Sequence, residues 1–96
     1  MNDPETIYTI GEEDTRFSIE FSSYPKARKT FIEMTSNYNR MNIPEINKKK
    51  MQLFQNFDLL FEVEVKDFSR HEVEQQLHQI EDNLHLQWYE EGEYSS

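Results

Sequence analysis

Three sets of side chains in this sequence have the type and spacing to do chemistry. The first is acidic: Glu62 and Glu64 alternate with Phe61, Val63 and Val65 inside "LFEVEVKDFSRHEVEQQL", and Glu20 stands between Ile19 and Phe21 in the same manner. Carboxylates gathered on one surface can exchange protons with a substrate, hold a divalent cation through oxygen, or meet a basic protein. The second set is basic: Lys26, Arg28 and Lys29 follow "SSYP". Cations beside the free N–H groups of a helix start suit a phosphate or a carboxylate. The third is a row of histidines, His71, His78 and His85, at intervals of seven.

Most of this chemistry narrows quickly. Seven residues of helix separate two side chains by about 10 Å, whereas the ligands of one ion must converge on a single point. The histidine row is therefore not expected to hold a metal. The chain has no cysteine, which excludes a disulfide framework, a thiol nucleophile and a zinc–thiolate centre. It has no Gly-x-Ser-x-Gly elbow, no phosphate-binding glycine loop and no His-Glu-x-x-His. A general acid or base also needs a pocket that shifts its pKa, and alternating glutamates belong to an open surface. The expectation is a protein that is not an enzyme and carries no cofactor.

Charge points toward partners. The net charge is −9, and it is segregated. Residues 1–14 hold five acids and no Lys or Arg, and residues 71–96 hold seven acids and again none. All ten basic residues lie between Arg16 and Arg70, where seven acids face them, so the three sections carry −5, +3 and −7. A polyanion would be repelled by both ends, which argues against nucleic acid. A basic protein surface is the expected partner. No apolar run approaches the ~18 residues of a membrane span, and no basic-then-apolar leader opens the sequence, so the expected location is the cytoplasm, away from membranes.

The elements that position these residues follow from hydrophobic period. Phe17, Ile19 and Phe21 alternate with polar residues, as do Phe61, Val63 and Val65, and each run predicts a strand with one buried face. Ala27, Phe31, Met34, Tyr38 and Met41 recur at helical steps, and so do Val73, Leu77, Ile80 and Leu84. Ser69 and Glu72 have capping-box spacing, flanked by Phe68 and Val73, which sets the second helix start at Ser69. Leu84, Leu86 and Trp88 alternate with His85, Gln87 and Tyr89 and predict a short last strand. For "EINKKKMQLFQNFD" the odd-numbered apolar residues favour a strand turning near Asn56 into the next, although a helix entered at Pro44 is an alternative. "TIYTI" at 6–10, ahead of "GEED", reads as an added edge strand.

Laid over each other, the two strand–helix units match at offsets of about 44 to 46 residues, a loose internal duplication. At 96 residues the chain has room for one domain. The expectation is a single α+β domain over 1–96, with 1–5 and 91–96 frayed. Its architecture would be a ferredoxin-like split βαβ sandwich, an antiparallel sheet with two helices on one face and an extra N-terminal edge strand. In that arrangement the two apolar strands lie side by side at the centre, crowding Glu20 against Glu62 and Glu64 on the uncovered face. Like charges so placed repel unless Lys50, Lys66, a cation or a basic partner offsets them.

Two functions follow. The leading one is a small acidic binding protein of the inhibitor, immunity or adaptor type, meeting a basic partner through Glu20, Glu62 and Glu64 and through the segment Tyr89, Glu90, Glu91 and Glu93. The other is a ligand-sensing homodimer in which Lys26, Arg28 and Lys29 hold an anion and two subunits share a sheet edge.

Overall fold

The computed structural model describes residues 6–89. The order of elements is β1 (Tyr8–Glu12), β2 (Ser18–Phe21), α1 (Tyr24–Met41), the single turn α2 (Pro44–Asn47), β3 (Lys50–Gln55), β4 (Asp58–Glu64), a 3-10 turn (Val65–Asp67) and α3 (Arg70–Leu84). All strand pairs are antiparallel, in the spatial order β2-β1-β3-β4. Two hairpins, each followed by a helix, are thus joined through their first strands. The internal duplication is present in element order, as ββα twice.

The sheet is not the ferredoxin-like one. In it β1 is central, bonded to β2 on one side and to β3 on the other, so "TIYTI" does not form an edge. The two strands expected at the centre, β2 and β4, are instead the outer ones. The reason lies in pairing: Tyr8 and Ile10 are matched to Phe21 and Ile19 in one direction and to Gln55 and Leu53 in the other. Their side chains need cover from both neighbours.

One face of the sheet is buried beneath the helices. Tyr8, Ile10, Met51, Leu53 and Phe61 project there and meet Tyr24, Ala27, Phe31 and Ile32 of α1 and Val73 and Leu77 of α3. Tyr8 lies edge-on to Tyr24 at 5.4 Å between centroids, and Phe31 edge-on to Phe61 at 5.8 Å. A bulge in the β3–β4 ladder sets which apolar residues join this core. Leu53 pairs with Phe61 but Phe54 pairs with Leu59, leaving Leu60 as the extra residue. The odd register read from sequence is broken at that point, and Leu59 turns to the opposite face.

Local signals explain the helix limits. Ser23 is extended and its hydroxyl accepts from the Lys26 N–H at 3.5 Å, with Pro25 in the first turn of α1. Asn42 closes α1 in the left-handed conformation, φ 53°. Ser69 does occupy the N-cap of α3, and the Val73 N–H bonds to its carbonyl at 2.8 Å, but its hydroxyl makes no capping bond. The segment 45–58 contains both of its alternatives, one helical turn from Pro44 and then the hairpin. The last strand is absent. His85 ends α3 in the left-handed conformation, and Leu86 and Trp88 fold back onto the core, which is why they mimic a strand's alternation.

Candidate functional site

On the uncovered face of the sheet, pairing registers place Glu20, Thr9, Phe54 and Leu59 in one row across the four strands, and Ser18, Gly11, Gln52 and Glu62 in the next. Lys50 and Glu64 form a third. Glu20 is therefore three strand spacings, roughly 14 Å, from the strand that carries Glu62 and Glu64, and also displaced along it from both, so the crowded acidic surface expected from the sequence does not form. Its far end is internally neutralised. Lys50 Nζ is 3.8 Å from Glu62, Lys66 Nζ is 3.6 Å from Glu64, and Gln52 donates to Glu62 at 3.4 Å. Among the described residues no group of three His, Cys, Asp or Glu side chains could hold a metal ion.

The opposite end of the same face is apolar. Phe57 is 96% exposed and Leu59 half-exposed, with Phe54 beside them and Ile7 also exposed at the start of β1. A cleft of about 260 Å³ is lined by Thr9, Ser18, Glu20, Phe54 and Phe57. Phe57 owes its position to the turn. Asn56 and Phe57 both have positive φ, 49° and 76°, in the two-residue connection between β3 and β4. Such a turn favours Asn followed by Gly, and a bulky aromatic in its second position is a genuine outlier. Asn56 anchors the loop, its side-chain oxygen accepting from the Ile7 N–H at 2.9 Å and its own N–H donating to the Ile7 carbonyl at 2.8 Å.

A second constellation lies in the helical layer. Glu81 of α3 is 2% exposed, and Arg28 of α1 is 7% exposed. Arg28 Nε donates to Glu81 Oε2 at 2.7 Å, the Tyr24 hydroxyl donates to the same oxygen at 2.5 Å, and His78 Nδ1 is 3.0 Å from Oε1. Trp88 closes the group, its ring centroid 5.0 Å from the Arg28 guanidinium carbon and 5.0 Å from the His78 ring. Of the expected anion cluster, Arg28 is thus committed to a carboxylate, while Lys26 gives its backbone N–H to the Ser23 cap and Lys29 is exposed. Glu81 was missed from sequence. The available signal was a charge four residues beyond Leu77 on the buried stripe, opposite Tyr24, Arg28 and Ile32, which also recur at steps of four.

Burial, then the hydrogen bond to Glu81 and its negative charge, push the Tyr24 phenol well above its ordinary value of 10.0, against a smaller opposing effect of Arg28. A phenol whose folded pKa is raised keeps its proton in the native state at a pH where the unfolded chain has lost it. Its contribution to stability is complete below about pH 10 and declines as pH rises beyond that. Urea unfolding at increasing alkaline pH should show this decline in the wild type and a shallower one in Tyr24→Phe. Equal slopes in the two proteins would contradict the assignment.

Of the remaining sequence-derived residues, Tyr89 lies edge-on to Trp88 at 5.3 Å. Glu90, Glu91, Glu93 and the ends expected to fray, 1–5 and 91–96, lie outside the described residues. His71 is exposed at the start of α3, His78 reaches Glu81 and His85 caps the helix, so they share no centre. Among the described residues no helix is long and apolar enough to cross a membrane. No family model, curated protein or solved structure matches this chain.

Proposed function

We propose that this protein is a non-enzymatic binding module that captures a basic partner protein on the hairpin end of its uncovered sheet face. The observation that carries the reading is Phe57, an aromatic held almost fully in solvent at a turn position that backbone energetics reserve for glycine. Folding gains nothing from it. Strained residues of this kind persist where something else uses them, and exposed aromatics are the usual anchors of protein interfaces.

The chemistry of the surroundings selects the partner. Phe54 and Phe57 bring aromatic rings to the cleft and Glu20 brings a carboxylate. An arginine or lysine from a partner can lay its aliphatic stem on the rings and its charge against Glu20. The excess of acids over the whole chain, −9, favours the same encounter.

The test uses a substitution whose two effects have opposite signs. Phe57→Gly should stabilise the isolated protein by about 1 kcal/mol, because glycine takes positive φ without steric cost, and should raise its melting temperature by a few degrees. In affinity capture from native cell extract, the same variant should lose the proteins that the wild type retains, as should Glu20→Lys. A Glu62→Lys/Glu64→Lys variant, altered at the neutralised end of the face, should keep them. If Phe57→Gly retains the same proteins at the same salt, this surface is not the docking site.

A further inference from the structure

We infer that the groove between α1 and α3 is a binding site for one compact oxyanion, a phosphate or carboxylate group, independent of the docking surface on the sheet. A cavity of about 100 Å³ lies there, walled by Arg28, Lys29 and Ile32 of α1, Arg70 and Glu74 of α3, and Trp88. With Pro25 of α1 also in the wall, three of the seven lining side chains are cationic in a protein that is otherwise strongly acidic.

The observation that points to a ligand is Arg28 itself. Its side chain is more than nine-tenths buried and forms part of the cavity wall. Nε is satisfied by Glu81 at 2.7 Å, but Nη2 is buried and has no hydrogen-bond partner. A buried guanidinium N–H without an acceptor costs the folded state its full desolvation penalty. Arg28 is bonded at Nε to Glu81 and covered on a face by Trp88. An oxyanion seated against the guanidinium would supply the acceptor that Nη2 lacks.

The other cations complete the set. Lys29 and Arg70 are exposed at the rim, where they can close over an anion. Two acids are near: Glu81, already bonded to Arg28 Nε, and Glu74, 3.6 Å from Arg70 in an exposed pair that is weak enough to yield to a better acceptor. A space of about 100 Å³ matches a single phosphate or carboxylate group.

Trp88 is the chain's one tryptophan and lines the cavity, so its emission reads occupancy directly. The full-length protein is titrated at constant ionic strength with inorganic phosphate and, separately, with acetate, against sodium chloride as control. A saturable change in emission with phosphate or with acetate supports the site and identifies which group it takes. A change that is linear and equal to that in sodium chloride overturns it. Lys29→Gln/Arg70→Gln should weaken the saturable phase at least tenfold while leaving the melting temperature of the ligand-free protein nearly unchanged, since both side chains are exposed. Glu74→Gln should tighten it severalfold by releasing Arg70. An unaltered midpoint in the double variant would also overturn the inference.

Discussion

Glu81→Leu is expected to destabilise the domain by about 3–5 kcal/mol, because it strands the buried Arg28 charge without its carboxylate. It also removes the acceptor of the Tyr24 hydroxyl. Folded domains have only about 5–15 kcal/mol in total, so the variant should sit near its unfolding transition at physiological temperature. The urea midpoint measures this, provided the slope against denaturant is unchanged. A buried ion pair need not be stabilising in itself, since replacing all its members by apolar groups is often neutral or better. Tyr24→Phe/Arg28→Met/Glu81→Leu should therefore recover most of what Glu81→Leu loses. A triple variant as unstable as the single one would show that packing, not the orphaned charge, dominates the site.

Phe31→Ala should cost a similar amount, about 3–5 kcal/mol, by another route. Phe31 is fully buried, and its ring meets Phe61 edge-on, so truncation opens a cavity and also breaks an aromatic pair that binds α1 to the edge strand β4. Phe61→Ala should show the pair as coupling: the double variant should cost less than the sum of the two singles. Strict additivity would mean that each ring is held by other neighbours. Beside Phe57→Gly, where removing the same side chain is expected to stabilise, the comparison separates burial from hydrophobicity as the source of the effect.

These differences bear on what the sequence could disclose. Alternation marked the buried face within β2 and β4, with Ile19, Phe21, Phe61 and Val63 turned inward and Glu20, Glu62 and Glu64 outward, but Phe17 lies exposed ahead of β2 and Val65 is buried in the 3-10 turn after β4. The helical stripes of α1 and α3 were equally legible except at their last members, Met41 and Leu84, which are exposed at the helix ends, and so was the hairpin near Asn56. Alternation carries no information about a strand's neighbours, however, and "TIYTI", with two inward side chains, looks the same at the centre as at the margin. The glutamates themselves held a clue. Charged side chains on outer strands discourage edge-to-edge association, and Glu20, Glu62 and Glu64 all lie on β2 or β4. Of the residues that line the groove between α1 and α3, Arg28 and Lys29 were visible as cations at a helix start. Arg70, Glu74 and Trp88 were not, because only the packing of one helix on another brings residues so distant in sequence to one place.

The joining of the two ββα halves through β1 and β3 has a consequence for assembly. Until its counterpart arrives, each half leaves the free flank of its first strand unpaired, and the β1–β3 ladder has no covalent need for both strands to come from one molecule. If residues 42–49 straighten, two chains can trade halves and rebuild the same ladder between them. Residues 42–49, which carry α2, are the segment that would have to extend in such an exchange.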